Sequence, residues 1–248
     1  MTQKIALATG STKGIGFAIA QRLLKDGCDV IVCSRKQENV ETAFEMLGKS
    51  PKVHPRVFHV GKLNTHEHFI QSIIDEIGRP NILVNNAASN PHFGPMDTLS
   101  WNAWDKTMET NLKAPFSISR LLAQHAISTS GTLSIINISS IFGMMPAPGQ
   151  GIYGMTKAAM ISMTKTLAHE WGSYNIRVNA IAPGLVDTHF ASAIVQNPKL
   201  LKGYKIRSAL SKVGKPEEIA GMASYLASDD SSFVSGQCMV VDLSLIHI

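Results

Sequence analysis

The chain has 248 residues, of which 44% are hydrophobic and 17% are charged, and it carries a formal net charge of +5 with a pI near 9.1. This composition supplies a buried core and excludes an intrinsically disordered chain. The basic residues are scattered, and their longest cluster is Arg35-Lys36. We therefore expect no nucleic-acid partner, because such proteins concentrate their positive charge in one stripe.

The cysteines and the apolar segments exclude further classes of protein. Cys28, Cys33 and Cys238 are too few and too dispersed for a disulfide framework, and no CxxC pair suggests zinc, so we expect no metal site. No apolar run approaches the ~20 residues that span a bilayer. The N-terminus also lacks the apolar segment of a secretory signal. We expect an intracellular protein without a membrane span.

Strand-like and helix-like patterns alternate along the whole chain. The predicted strands cover residues 4–9, 29–33, 56–60, 82–85, 132–138, 177–181 and 238–242. The predicted helices cover residues 14–26, 37–48, 65–77, 101–128, 151–171 and 216–227. The alternation predicts a single α/β domain over residues 1–248, a doubly wound Rossmann fold in which helices flank a seven-stranded parallel sheet. A longer stretch follows the sixth strand at 183–211, and residues 185–211 are a candidate substrate lid.

A glycine-rich turn follows the first predicted strand and opens the first helix. It reads Thr9-Gly10-Ser-Thr-Lys-Gly14-Ile-Gly16. Glycines at this position let the backbone approach a pyrophosphate, which the helix N-terminus then stabilises. The GxxxGxG spacing differs from the GxGxxG fingerprint, and a glycine trio also occurs in ordinary strand-to-helix turns.

The end of the second predicted strand indicates which dinucleotide is bound. An acidic residue there usually holds the ribose 2′-hydroxyl of NAD, whereas this chain reads Cys33-Ser34-Arg35-Lys36. Arg35 can pair with a 2′-phosphate, and Lys13 adds a second cation from the glycine turn. This pattern favours NADP over NAD.

A tyrosine and a lysine share one face of the helix predicted at 151–171. Tyr153 and Lys157 are four residues apart. An ammonium group beside a phenol lowers the pKa of the phenol, so we expect Tyr153 to be a proton donor with a lowered pKa. In isolation, such a pair is also common on solvated helix faces.

Six motifs in order resemble the short-chain dehydrogenase/reductase family. They are the glycine turn, Asn85-Asn-Ala-Ala88, Asn111, Ser140, the Tyr153/Lys157 pair, and Pro183-Gly184 followed by Thr188. The resemblance spans nearly the whole chain. It implies hydride transfer between a nicotinamide cofactor and a carbonyl carbon.

The resemblance also implies a role for each matching residue. Tyr153 would protonate the carbonyl oxygen, Ser140 would polarise it, and Lys157 would bind the nicotinamide ribose. The backbone of Asn111 would hold a water that links Lys157 to solvent. Ser139 is the nearest rival to Ser140, and the spacing to Tyr153 selects Ser140. The implied cofactor contacts are Gly10, Ser11, Thr12, Lys13, Gly14, Ile15, Gly16, Ser34, Arg35, Lys36, Asn86, Ala87, Tyr153, Lys157, Pro183, Gly184, Val186 and Thr188.

Three further runs are most similar to the peroxisomal carbonyl and retinal reductase branch of the family. They lie at 59–62, 90–94 and 175–179. This branch implies NADPH, an apolar or aromatic ketone or aldehyde as substrate, a homotetramer, and a cytoplasmic or peroxisomal location. The substrate contacts would be Ser140, Tyr153, Phe93, Phe142, Met145 and Leu185.

The chain departs from the family pattern at its C-terminal end. Many members carry two glycines after the last strand, whereas Val241-Asp242 here continues into Leu243-Ser-Leu-Ile-His-Ile248. We therefore expect residues 243–248 to be foreign sequence, such as adapter read-through or a cloning scar. A peroxisomal tripeptide of the SKL type cannot be read at such an end.

Two other functions are compatible with the same motifs. A 3-oxoacyl thioester reductase would use the same four catalytic residues and differ in its lid. These four residues are Asn111, Ser140, Tyr153 and Lys157. A non-catalytic NADP-binding protein usually lacks one or more of these residues, and all four are present here. Reduction of ketones and aldehydes remains the leading hypothesis.

Overall fold

A seven-stranded parallel sheet forms the centre of the computed structural model, which describes residues 3–246. The strand order is β3-β2-β1-β4-β5-β6-β7, so the chain crosses over between β3 and β4. This confirms the predicted seven-stranded parallel sheet of an α/β fold, and it shows that the strand order reverses direction between β1 and β4. The strands are β1 (Ile5–Ala8), β2 (Asp29–Ser34), β3 (Val53–Val57), β4 (Ile82–Asn85), β5 (Leu133–Ile138), β6 (Ile176–Pro183) and β7 (Cys238–Val241).

Helices cover both faces of the sheet, as the nearly continuous apolar strands require. One core packs strand residues such as Ala6, Val30 and Val84 against the first and last helices. The other packs Leu7, Ile31 and their neighbours against the helices of the opposite face. The helices are α1 (Gly14–Lys25), α2 (Gln37–Met46), α3 (His66–Glu76), α4 (Trp101–Met108), α5 (Ala114–Ser128), α6 (Gly151–Trp171), α7 (Ser192–Val195), α8 (Pro198–Arg207) and α9 (Pro216–Ala227).

The third strand begins three residues earlier than predicted. β3 spans Val53–Val57, whereas the sequence predicted residues 56–60. The strand includes Pro55, and because β3 is an edge strand, a proline without an N–H is tolerated there. Phe58 and Val60 follow the strand and are buried in the core, which explains why this apolar run resembled a strand.

The helix predicted at 101–128 is interrupted. A π-helical turn, Glu109–Lys113, separates α4 from α5. Pro115 lies at the start of α5 and has no N–H to donate to the carbonyl of Asn111, four residues earlier. The interruption therefore contains Asn111, which the sequence indicated as a candidate catalytic residue. π-helical turns of this kind are frequent at functional sites.

The candidate lid contains helices that the sequence did not predict. β6 continues to Pro183, and a 3-10 turn, His189–Ala191, then leads into α7 and α8. The side chain of Asn197 accepts hydrogen bonds from two backbone N–H groups and so caps α8, and Pro198 follows it. None of the residues of α8 is buried. α8 thus lies over the molecule without belonging to its core, whereas Val186 and Ile194 of the same segment are buried.

The residues after β7 adopt a conformation that favours glycine. Leu243 and Ser244 have φ values of +58° and +62°, and Leu245 is buried behind them. These are the two positions at which many family members have glycine. The foreign origin of residues 243–248 stays a prediction, and residues 247 and 248 lie outside the described residues.

Within residues 3–246, none of the helices combines the length and the apolar character that crossing a bilayer requires.

Candidate active site

The glycine turn is shaped by contacts that leave no room for side chains. Gly10 and Gly14 have φ values of +61° and +56°. A Cβ added to Gly16 would collide with the side chain of Asn86 and would lie 2.5 Å from the carbonyl oxygen of Gly10. The turn is therefore a cradle of backbone at the N-terminus of α1, which fits a pyrophosphate.

Residues from three strand ends converge on this cradle. The Asn86 Nδ2 group donates to the carbonyl oxygens of Thr9 and Gly10, both at 3.0 Å. On the other side, a Cβ at Gly14 would lie 3.2 Å from Thr188, which follows β6. The structure thus brings together three of the segments that the sequence assigned to the cofactor.

The remaining predicted cofactor residues differ in how accessible they are. Ser11 is fully buried, and its hydroxyl joins β1 to β2 by donating to the Ala8 carbonyl and accepting from the Cys33 N–H. The side chain of Ser11 is therefore structural, and its backbone N–H also donates to the Cys33 carbonyl, at 3.1 Å. Lys13 and Arg35 are exposed, whereas Pro183 and Val186 are buried. Thr12, Ile15, Ser34, Ala87 and Gly184 are half-buried.

The two adjacent serines after β5 have different partners. Ser139 Oγ donates to the backbone carbonyl of Lys157 at 2.9 Å and so fixes α6 against the sheet. Ser140 Oγ accepts from the N–H of Phe142 at 3.2 Å, which leaves its own proton free to be donated. The choice of Ser140 over Ser139 stays a prediction, and Ser139 is the serine whose hydroxyl proton is already used within the fold.

Tyr153 and Lys157 are both buried, with exposed fractions of 8% and 2%. The Lys157 Nζ atom lies 5.4 Å from the centre of the Tyr153 ring and donates to the carbonyl oxygen of Ile138 at 2.7 Å. The two side chains share one face of α6, as the spacing predicted.

The expected lowering of the Tyr153 pKa is not found. Burial raises the pKa of Tyr153 to about 12, and a hydrogen bond with Ser140 only partly opposes it. Burial also lowers the pKa of Lys157 to about 7, so this group is not a fixed positive charge near neutral pH. The prediction from the sequence was wrong because it treated the pair as exposed.

Asn111 joins the loop after β4 to the catalytic helix. Its Oδ1 accepts from the N–H of Ser89 at 2.8 Å, and its Nδ2 donates to the Ser89 carbonyl and to Thr156 Oγ1. The side chain of Asn111 is thus fully engaged in fixing the site. Its backbone carbonyl lies in the π-helical turn, without a donor from Pro115.

The predicted substrate residues are distributed around the N-terminal end of α6. A Cβ at Gly149 would lie 3.5 Å from the half-exposed ring of Phe93, and one at Gly154 would lie 2.9 Å from the carbonyl oxygen of Phe142. Met145 is half-buried in the loop between Phe142 and Gly149. Leu185 instead lines a cavity beneath α8, with Tyr204 and Ser208 among its walls.

Phe190 is a site residue that the sequence reasoning missed. Its ring centre lies 5.7 Å from that of Tyr153, at an interplanar angle of 45°, and half of the side chain is exposed. Phe190 follows Thr188 by two residues in the lid, so an aromatic residue immediately after the cofactor segment was the available signal. In the part of the chain described, no group of His, Cys, Asp and Glu side chains could hold a metal ion.

Comparisons with known proteins agree with this arrangement. The family model described as Enoyl-(Acyl carrier protein) reductase matches residues 10–243. Dehydrogenase/reductase SDR family member 4 from Homo sapiens and from Pongo abelii are each 40% identical over 242 residues, which cover 97% of this chain and 87% of the relative. Dehydrogenase/reductase SDR family member 2, mitochondrial, from Homo sapiens is 36% identical over the same share of this chain.

Solved structures share the fold along its whole length. A gluconate 5-dehydrogenase from Burkholderia cenocepacia in complex with NADP and tartrate superposes with a TM-score of 0.94 at 29% identity, covering 100% of this chain and 97% of that one. Actinorhodin polyketide ketoreductase with NADPH gives 0.92 at 28% identity, covering 98% and 97%. The chain therefore belongs to the short-chain dehydrogenase/reductase family, whose members are oxidoreductases that use a nicotinamide cofactor.

Proposed function

We propose that this protein is an NADPH-dependent carbonyl reductase in which Tyr153 donates a proton to the carbonyl oxygen of a ketone or aldehyde. The observation that carries the proposal is the position of the phenol: it is buried on α6 beside Ser140 and Lys157, next to a glycine cradle that fits a dinucleotide. When bound, the nicotinamide supplies the hydride. The chain itself supplies the proton and the orientation.

The pKa values of the buried pair suit a proton donor. Because burial raises the pKa of Tyr153 to about 12, the phenol keeps its proton at neutral pH until the carbonyl oxygen becomes basic. Ser140 has a free proton to donate to the same oxygen and can stabilise the charge that develops on it. The resulting phenolate would be stabilised by protonated Lys157, whose pKa of about 7 lies near the operating pH.

Proton supply is proposed to pass through the π-helical turn. The Asn111 carbonyl has no N–H partner at Pro115 and can accept a hydrogen bond from water. Such a water would connect Lys157 with solvent. The side chain of Asn111 cannot do this, because its amide is already bonded to Ser89 and Thr156.

The choice of NADPH rests on the charges at the end of β2. Arg35 is exposed, and Glu38 is the nearby carboxylate that pairs with Lys36, at 3.2 Å. Lys13 is exposed at the N-cap of α1. A 2′-phosphate would neutralise these cations, whereas the 2′-hydroxyl of NAD would not. The solved relatives that contain NADP or NADPH support the same choice.

The substrate is proposed to be an apolar or aromatic carbonyl compound, including diketones and retinal. Phe93, Phe142 and Phe190 lie around the end of α6 that carries Tyr153, and Met145 is half-buried in the loop before that helix. These side chains offer apolar surface and few polar contacts. Assembly into a homotetramer through α6 and a cytoplasmic or peroxisomal location are parts of the same proposal.

Reduction of a 3-oxoacyl thioester is a second candidate, which one feature of the lid favours. α8 carries Lys199, Lys202, Lys205 and Arg207, all of them exposed, and the structure records no ion pair for them within residues 3–246. Such a surface attracts the phosphates of a thioester carrier. The match to a polyketide ketoreductase is consistent with this alternative.

Lys157→Met should change how stability depends on pH. The folded pKa of Lys157 is about 7 and its ordinary value is 10.5, so between these pH values the unfolded chain binds more protons and unfolding becomes harder as pH rises. From about pH 7.5 to about pH 9, the wild type should gain about 2 kcal/mol more unfolding free energy than the variant. Urea unfolding at both pH values measures this difference. Equal gains would mean that Lys157 remains charged in the folded protein.

Tyr153→Phe should remove turnover while leaving cofactor binding intact, because only the transferable proton is lost. We expect kcat to fall by about 10²- to 10⁴-fold and the Kd for NADPH to stay within about twofold. Steady-state NADPH oxidation and fluorescence titration measure the two quantities. Tyr174→Phe changes an exposed tyrosine in the same way and should retain full activity. A fully active Tyr153→Phe enzyme would refute the assigned role.

Arg35→Asp should shift cofactor preference towards NADH. The substitution removes a charged hydrogen bond and repels the phosphate. The ratio of kcat/KM for NADPH to kcat/KM for NADH should therefore fall by about 100-fold. The control is Lys25→Asp, an equal change of charge at the far end of α1. If the ratio is unchanged in Arg35→Asp, the phosphate is recognised elsewhere.

A comparison of substrates separates the two candidate reactions. With NADPH, a diketone or retinal should be reduced with a kcat/KM at least about tenfold above that of acetoacetyl-CoA. The opposite ranking would favour the thioester reductase. Charge reversal of Lys202 should then raise KM for the thioester only.

A further inference from the structure

The end of β3 places a histidine beside the proposed phosphate site. Cys33 pairs with Arg56 and Ser34 with Val57 in the parallel ladder of β2 and β3, and the N–H of Phe58 donates to the Ser34 carbonyl at 2.9 Å. Arg35 follows Ser34 directly and His59 follows Phe58, so both residues leave neighbouring strands at the same edge of the sheet. Both lie at the carboxyl edge, where ligands of such sheets bind.

The ring of His59 has one nitrogen available for a ligand. Its Nδ1 is 3.1 Å from the N–H of Gly61, which donates to it, so Nε2 carries the proton in the neutral form. A Cβ at Gly61 would lie 3.1 Å from the ring. The same Cβ would also approach Thr110, which belongs to the π-helical turn. The ring is therefore held in place, while its half-exposed edge remains open to solvent.

The charged groups that act on His59 are all cations. Arg35 follows β2, Lys62 follows the histidine itself, and Lys106 comes from α4. Burial of the ring lowers the pKa of His59, and the positive charges of Arg35, Lys62 and Lys106 lower it further. Among the described residues no carboxylate acts on the ring, and none forms an ion pair with these three cations. The cluster therefore lacks a counter-charge within this part of the chain.

We propose that His59 recognises the 2′-phosphate of NADPH together with Arg35, and that its imidazole takes up a proton when the phosphate binds. This inference rests on the proposed NADPH dependence and extends it to a residue outside the glycine turn and the end of β2. The added proton enters at Nδ1 and breaks the hydrogen bond that this atom accepts from the Gly61 N–H, and the opposite charge of a dianion at Nε2 favours this imidazolium form among the surrounding cations. NADPH binding is then linked to pH, whereas NADH binding is not.

The test measures Kd for NADPH and NADH by fluorescence titration at about pH 8 and about pH 6, on either side of the ordinary histidine pKa. For the wild type, NADPH should bind about three- to tenfold more tightly at the lower pH, and NADH equally at both. In His59→Gln, NADPH affinity should not rise as pH falls. Protonation of the phosphate itself, with a pKa of about 6, weakens binding at low pH and so cannot imitate the effect.

His68→Gln is the matched control, since it removes an exposed histidine of α3 and should behave as the wild type. Unchanged NADH binding in His59→Gln shows that the fold is intact. The inference is overturned if His59→Gln keeps the pH dependence of NADPH binding, or if it weakens NADH and NADPH binding equally. A wild type without any preference for NADPH would instead overturn the proposed cofactor itself, and this inference with it.

Discussion

The burial of the Lys157 side chain is the constraint on which the site depends. Its amine is held by the carbonyl of Ile138, the last residue of β5, and its own carbonyl is held by Ser139. Gly143 completes the contact, because a Cβ there would lie 2.7 Å from the carbonyl carbon of Lys157. An amine can be buried in this way because its pKa falls, which limits the charge that must be desolvated. The catalytic helix is thereby locked to the end of the central strand.

This locking separates a rigid half of the site from an exposed half. Asn85, Asn137 and Thr164 form a buried chain of hydrogen bonds behind the strand ends, and Asn111 extends the same kind of support to the loop after β4. Precise positioning of reacting groups needs such support. The lid differs, since α8 has no buried residue and Phe190 is half-exposed where it meets Tyr153. In the proposed reaction, the groups that transfer the proton are thus fixed to the sheet, and the selection of substrates is left to the exposed segment.

The sequence predicted the fold and the strand ends more reliably than the distances between residues. The bounds of α6 and α9 matched the predicted ranges, because Gly172 follows α6 and because α9 opens with Pro216 and two acidic residues. Pro55 and Pro115 marked the two places where elements were misplaced, and each has its effect through a missing N–H. Phe190 was not found, since Tyr153, which it contacts, lies in a distant part of the chain. The direction of the Tyr153 pKa was also misjudged, because burial cannot be read from a spacing of four residues.

The π-helical turn also determines where the chain tolerates a change of length. A turn of this kind contains one residue more than the α-helical turn it replaces. Deletion of a single residue within Glu109–Lys113 would restore α-helical geometry and remove the local widening that turns Asn111 towards its partners. Asn111 would then face away from Ser89 and Thr156, and the loop after β4 would lose its anchor. Insertions and deletions should therefore accumulate in the exposed segment after β6, whereas the spacing between Trp101 and Ser128 should remain invariant among functional relatives.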